Sequence, residues 1–226
     1  MKSENTPDHR TRVAAKRREK TRAKLLESAL HVFSRKGPQA VIEDVIAQAG
    51  MARGSFYNYF HTNEELLEAL ANEINNELVR AIDPLVQRLA NPVERVASGT
   101  RMLLHAITQF PQLGHFLSRL PLPTANSNRL GLRFLVRDVA AGISAQLFRH
   151  IEQRVAVDLV TGVVLSAAYA LGSETLQHDY PEQSVRQMLQ GLGVDGVEAQ
   201  RIVALPLSVL MLPDSALLLR VQPDPA

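Results

Sequence analysis

Residues 41–60 spell out two short helices joined by a tight turn, and no other stretch leaves the backbone so little choice. Ile42, Val45 and Ile46 fall at spacings of three and four, which puts an apolar stripe along a helix over Ile42–Ala49. Gly50 stops it, because glycine takes the left-handed backbone of a helix C-terminus without steric cost. A second helix is expected over residues 52–59, carrying Arg53, Gly54, Ser55, Tyr57, Asn58 and Tyr59. This is a helix-turn-helix layout, and the second helix of such a pair can lie in a DNA major groove.

The preceding segment fits the same partner. Eight cations, Arg10, Arg12, Lys16, Arg17, Arg18, Lys20, Arg22 and Lys24, are opposed between residues 10 and 24 by Glu19 alone. A flexible basic arm of this kind is expected to gain affinity for a polyanion by releasing counterions from phosphate. A merely solvated tail is the alternative for any charge run. The neighbouring helix-turn-helix favours the nucleic acid.

The net charge of +2 hides an asymmetry. Residues 1–60 hold 12 Lys+Arg against 6 Asp+Glu, and residues 61–226 hold 13 against 17. A basic head on an acidic body assigns DNA to the head. With 46% hydrophobic residues the chain can bury a core as one or two domains. The lack of cysteine excludes disulfides, thiolate zinc sites and cysteine nucleophiles. The N-terminus lacks the apolar core of a secretory signal. The longest apolar run, residues 159–172, falls short of the roughly 20 residues that span a bilayer. A soluble cytoplasmic protein without membrane contact is expected.

The chain reads as all-α, with no strand-period segment and no internal repeat. The first helix is expected from a cap at Thr21 to Gly37-Pro38, burying Leu25, Leu26, Ala29, Leu30 and Phe33. A fourth starts at the N-cap Thr62, with Glu64 and Glu65 in its first turn, and runs to Asp83-Pro84. Further helices are expected over 91–110, 111–120, 129–149, 153–177, 182–190 and 195–211, the last bent or shortened by Pro206. A loop is expected at 121–128. The organisation is thus a basic flexible arm (1–20), a three-helix DNA-binding domain with its helix-turn-helix (21–66), a larger C-terminal helical ligand-binding and dimerisation domain (67–213), and a loose tail (214–226).

Residues 20–67 resemble the DNA-binding domain of TetR-family transcriptional regulators. The match rests on Thr21-Arg22, Leu25-Leu26, Ala29, Phe33, Gly37, Asp44-Val45 and Gly50. Its strongest part is Arg53-Gly54-Ser55-Phe56-Tyr57-Asn58-Tyr59-Phe60, followed by Glu64-Glu65-Leu66. The resemblance implies that the recognition helix meets double-stranded DNA through Ala52, Arg53, Gly54, Ser55, Tyr57, Asn58 and Tyr59. His61 and Asn63 follow it, and Arg12, Lys16, Arg17, Arg18, Lys20 and Arg22 add phosphate contacts. Phe56 and Phe60 are expected to face the small core, with Tyr59 open to either role. Three positions depart from the family pattern: Ala40-Val41 and Ala52 replace Ser/Thr caps, and Asn63 replaces a lysine. Each change removes a phosphate contact; either affinity is modest or the basic arm replaces what is lost, and the length and charge of the arm favour the second.

The resemblance also implies a homodimer and an effector cavity in the body. Gly162, Ala168 and Gly172, with Arg201, Leu205 and Val209, are the dimer-face candidates; intramolecular packing is the alternative for the small residues. Ligand candidates are Met102, Leu103, Leu104, Ile107, Phe110, Phe116, Phe134 and Val164 as apolar lining, with Arg101, His105, His115 and Tyr169 as polar contacts; each could equally be core. The expected function is a repressor released from its operator by a small apolar or aromatic molecule. The alternative is a DNA-binding regulator without an effector. Neither a cofactor nor a metal is expected: there is no phosphate-binding glycine loop, His-x-x-x-His pair or Gly-x-Ser-x-Gly elbow, which speaks against an enzyme. A membrane-surface role for the arm lacks an apolar stripe in residues 1–20.

Overall fold

A computed structural model describes residues 9–117 and 130–221. The expected loop at 121–128, the end of the short helix at 118–120, the first eight residues and the last five lie outside them. Among the described residues every regular element is a helix.

The first helix, α1, spans His9–Lys36. The basic segment is therefore its N-terminal half and not a flexible arm. Nothing after Arg10 interrupts a helix: there is no Gly or Pro, and Ala14, Ala15, Lys, Arg and Glu are good helix formers. Thr21 does not cap; its hydroxyl donates back to the Arg17 carbonyl at 3.0 Å, one turn earlier. Residues 11–20 are all exposed, while Leu25, Leu26, Ala29, Leu30 and Phe33 are buried. The helix is thus anchored by its second half and projects its cationic half.

After a 3-10 turn at Gly37–Gln39 come α2 (Ile42–Ala49) and α3 (Arg53–Tyr57). Gly50 sits at φ 59°, ψ 43°, the left-handed stop expected there. Neither helix has a side-chain N-cap, as Val41 and Ala52 dictate. At α2 the Asp44 carboxylate compensates by accepting the Val41 N–H at 3.2 Å. α4 (Asn63–Val86) begins with the Thr62 hydroxyl accepting the Glu65 N–H at 3.0 Å. It continues through Pro84 to Val86, past its expected end.

The body comprises α5 (Pro92–Gln109), α6 (Pro111–Leu117), α7 (Leu130–Ser144), α8 (Gln153–Ser173), α9 (Tyr180–Gly191) and α10 (Gly196–Val203). α5 is central and packs on α4, α6, α7, α8 and α9. α10 ends eight residues before its expected end. Pro206 has no N–H to offer Ile202, and the Leu205 N–H closes a tighter turn on that carbonyl at 3.2 Å. The segment expected as a loose tail carries α11 (Leu217–Arg220), which packs against α1 and α4. Leu217 and Leu218 are buried there, and Arg220 pairs with Glu27 at 3.1 Å.

α8 is long and apolar enough, by length and composition, to cross a membrane. Its full 21 residues exceed the apolar run read from the sequence. Here its inner face, including Ala156, Val157, Val160, Ala167 and Ala168, is buried in the body. Its outer face carries the Arg154–Asp158 ion pair at 2.8 Å.

Candidate nucleic-acid interface and body cavity

α3 is short, and two phenylalanines fix its orientation. Phe56 is fully buried, Phe60 nearly so, and their ring centroids lie 6.0 Å apart. With that side turned inward, Ala52, Arg53, Gly54 and Asn58 are exposed, and Ser55, Tyr57 and Tyr59 are half-buried. A Cβ at Gly54 would meet nothing within 4 Å, so the backbone lies open to close approach.

Arg53 is held before any partner arrives. Its guanidinium lies 3.2 Å from Glu43 on α2 and 3.4 Å from the Tyr57 hydroxyl, with the tyrosine ring beneath it at 5.8 Å. The Tyr57 hydrogen bond, and then the nearby charges, hold the Arg53 proton even more firmly than usual. The cation is therefore permanent and aimed.

The cationic half of α1 joins the same surface. The Arg18 guanidinium sits 5.9 Å over the Tyr59 ring, and Arg22 lies at the same distance over Phe60 while reaching Glu73 at 3.5 Å. Arg12, Lys16, Arg17, Arg18 and Lys20 are exposed, as is His61. Tyr59 is thus a platform for Arg18 as much as core. The Asn63 amide donates to the Ala40 carbonyl at 3.0 Å, tying the start of α4 to the approach to α2.

The body holds a cavity of about 270 Å³ between α4, α5, α7 and α8. α4 gives Ala71, Ile74, Leu78, Val79 and Ile82; α5 gives Val96, Gly99 and Leu103; α7 gives Leu132, Phe134 and Leu135; α8 gives Val160 and Val164. Asn75, Asp83, Arg95 and Asp138 are its polar wall groups, with Thr100 and Thr161.

Of the twelve sequence-derived ligand candidates, Leu103, Phe134 and Val164 line this cavity. Leu104, Ile107, Phe110 and Phe116 are buried on other sides of their helices, as core. Tyr169 is 58% exposed on the outside of α8. Arg101 is buried and engaged: it donates to Glu182 at 3.1 Å and to the Leu205 carbonyl at 2.8 Å. His105 meets the same Glu182 oxygen at 2.9 Å. These groups lock α5 to α9 and to the chain leaving α10. Burial pushes the Glu182 carboxyl up, but the His105 and Arg101 hydrogen bonds outweigh it and hold it below the ordinary glutamate value. The missed polar residues had a signal: Ala71, Asn75, Val79 and Asp83 share one four-residue register beside the apolar stripe of α4.

The dimer-face candidates divide. Ala168 is fully buried, and a Cβ at Gly172 would meet the Gly114 carbonyl carbon at 3.0 Å, so both serve the α6–α8 contact within the protomer. Gly162 lies on the outer face of α8, with nothing within 4 Å of its added Cβ. Val209 is 77% exposed. The Leu205 carbonyl serves Arg101, and Arg201 pairs with Glu94 at 3.0 Å and Glu198 at 2.7 Å.

Two family models match. Residues 25–70 match bacterial regulatory proteins of the tetR family, and residues 91–205 match the tetracyclin repressor-like C-terminal domain. The chain is 39% identical over 67 residues to the uncharacterized HTH-type transcriptional regulator YvdT of Bacillus subtilis, covering 29% of this chain and 33% of that one. It is 33% identical over 76 residues to the HTH-type transcriptional repressor KstR2 of Mycobacterium tuberculosis, covering 33% of this chain and 38% of that one. The match thus spans little more than a third of the length of these curated relatives. Among solved structures, RolR in complex with resorcinol superimposes with a TM-score of 0.66 at 26% identity, over 87% of this chain and all of that one.

Proposed function

The chain belongs to the TetR family of bacterial regulatory proteins, and from that membership we propose a homodimeric repressor that leaves its operator when a small, largely apolar ligand fills the body cavity. In this reading two copies of α3 enter successive major grooves, about 34–36 Å apart, on a pseudo-palindromic site. Arg53 reads a base edge or a phosphate, Tyr57 supports it, and the exposed cations of α1 bind backbone phosphate.

The observation that carries the proposal is the double duty of α4. Its first turns bury Leu66 and Leu70 in the core, and its later turns give Ile74, Leu78 and Ile82 to the cavity wall. A ligand that spreads the cavity moves the helix on which the head is mounted. Ligand and DNA then weaken each other by the same factor, as linkage requires. The resorcinol held by RolR supports a compact aromatic molecule as the effector class. The cavity itself favours this reading over a regulator without an effector.

The test is selection of bound duplexes from a random pool, followed by titration of the selected duplex with resorcinol as the first probe. An enriched inverted repeat, lost on Arg53→Ala, is the expected result. Recovery of no preferred sequence at low salt would overturn the proposal.

A further inference from the structure

The polar groups of the cavity wall nearly all have partners within the protein. The Thr100 and Thr161 hydroxyls donate to the carbonyls of Val96 and Val157, each at 2.8 Å. Arg95 donates to Asp138 at 2.8 Å and to the Leu89 carbonyl at 3.1 Å. Arg137 bridges Asp138 at 2.9 Å and Asp83 at 2.8 Å. Two carboxylates thus meet two guanidiniums, and the formal charge at that end cancels. The exception is Asn75, which lines the cavity and whose amide nitrogen, Nδ2, is buried with no hydrogen-bond partner among the described residues. Leaving such a donor dry is costly, and a native protein retains one where something else satisfies it.

Asn75 and Asp83 are eight residues apart on α4, so about 12 Å separates the lone donor from the charge-neutral cluster. Aliphatic side chains and Phe134 fill the wall between them. Building on the repressor reading above, we propose that the effector is an uncharged one- or two-ring molecule whose hydrogen-bond acceptor is met by the Asn75 amide turning toward the cavity it lines. The cavity volume suits this size, since an apolar cavity of roughly 150 Å³ already holds benzene. An anion or a cation would bring a charge into a space where none stands uncompensated. A pure hydrocarbon would leave Asn75 as dry as before.

The Asn75 side chain has a defined support. A Cβ added at Gly131 of α7 would meet Asn75 Oδ1 at 2.6 Å and the Val79 Cγ2 methyl at 2.8 Å. Gly131→Ala therefore displaces the amide without removing it and serves as a second variant beside Asn75→Leu. Asn75→Leu removes an unpaired buried donor, so the ligand-free variant is expected to fold and to melt no lower than the wild type.

Three nearly isosteric probes separate the possibilities: acetophenone, with a carbonyl acceptor; α-methylstyrene, with a methylene in its place; and benzoate, with a negative charge. Their dissociation constants are measured by calorimetry on the full-length wild type and both variants, with thermal melts as the check on folding. The expected result is that Asn75→Leu shifts the acetophenone to α-methylstyrene affinity ratio roughly tenfold toward the hydrocarbon. Gly131→Ala should shift it the same way, and benzoate should not bind. An unchanged ratio in both folded variants would overturn the role of Asn75 and leave the effector cavity standing. Benzoate binding as tightly as acetophenone would overturn the uncharged ligand. If neither neutral probe binds the wild type, the cavity is not a site for small aromatics, and the effector reading fails with this one.

Discussion

The Leu217 N–H donates to Glu77 Oε1 at 2.6 Å, and so joins the last helix of the chain to the middle of α4. Oε2 of the same carboxyl is buried with no hydrogen-bond partner among the described residues. Burial, opposed by hydrogen bonds from the Leu217 and Leu218 N–H groups, pushes the Glu77 carboxyl above its ordinary value. The folded protein therefore holds this proton more tightly than the unfolded chain does. Its contribution to stability is complete below the unfolded glutamate value of about 4.3 and is lost as pH rises through the higher folded value. Glu77→Gln keeps an acceptor for Leu217 and removes the titration. Thermal melts from pH 4 to 8 should show a shallower loss on the alkaline side in the variant. Parallel curves would place the titration elsewhere.

The C-terminal segment gives the second prediction. Leu217 and Leu218 are buried, Arg220 pairs with Glu27 of α1, and Gln112 of α6 donates to the Val221 carbonyl at 3.0 Å. A chain ending at Pro213 gives up its anchorage on α1, α4 and α6 together. Removing two buried leucines should lower stability by about 3–5 kcal/mol, and chemical denaturation would measure it. A truncated protein of full stability would show that α11 merely rests on the surface.

The Arg101–Glu182 pair acts in the opposite pH range. Arg101 has a side chain only 7% exposed, and Glu182 is its anionic partner. Glu182→Ala leaves a buried guanidinium with the Leu205 carbonyl alone, and should cost about 3 kcal/mol. Because the folded Glu182 carboxyl lies below its ordinary value, its contribution is present above the unfolded value and lost as pH falls through the folded one. The wild-type advantage over Glu182→Gln should thus shrink on acidification. Equal stability of the two at neutral pH would count against the pair.

How far the sequence is legible depends on whether neighbours or distant groups decide the outcome. The turn between α2 and α3 is readable because Gly50, the apolar spacing and Phe56 and Phe60 act locally. The basic half of α1 misleads, because its charge density suggests flexibility although no residue there breaks a helix. Pro206 is visible in the sequence, and of the two effects expected of it, a bend or a shortening, α10 shows the shortening. The cavity is hardest to see. Leu103 lines it while Leu104, one residue on, is core, and the apolar spacing of α5 does not separate the two. The tail looks loose because its anchor, Glu77, lies 140 residues away.

The two halves of the nucleic-acid surface should fail differently. Exchanging Arg12, Lys16 and Arg17 for glutamine removes exposed cations, which meet phosphate in the proposed complex. Binding should weaken alike on specific and random duplexes, and the salt slope should flatten by about 0.9 for each phosphate no longer neutralised. Arg53→Ala should instead weaken the specific duplex about tenfold or more and spare the random one. Fluorescence anisotropy on both duplexes from about 50 to 300 mM salt reads the difference. If the triple variant keeps the wild-type slope, the N-terminal half of α1 does not touch DNA.

Two glycines of α8 should separate folding from assembly. A side chain at Gly172 would press on the Gly114 carbonyl carbon at 3.0 Å and the His115 amide nitrogen at 3.2 Å. Both are backbone and cannot rotate away, so Gly172→Val should force α6 from α8 and cost about 1–3 kcal/mol. A Cβ at Gly162 meets nothing within 4 Å among the described residues. Gly162→Arg should leave the fold of the protomer unharmed. If the outer face of α8 is the seam between two copies, however, the variant buries an unpaired charge there twice, once from each copy by symmetry. Sedimentation velocity should then find Gly162→Arg folded and monomeric. A Gly162→Arg protein that sediments as the wild type does would move the seam off this face.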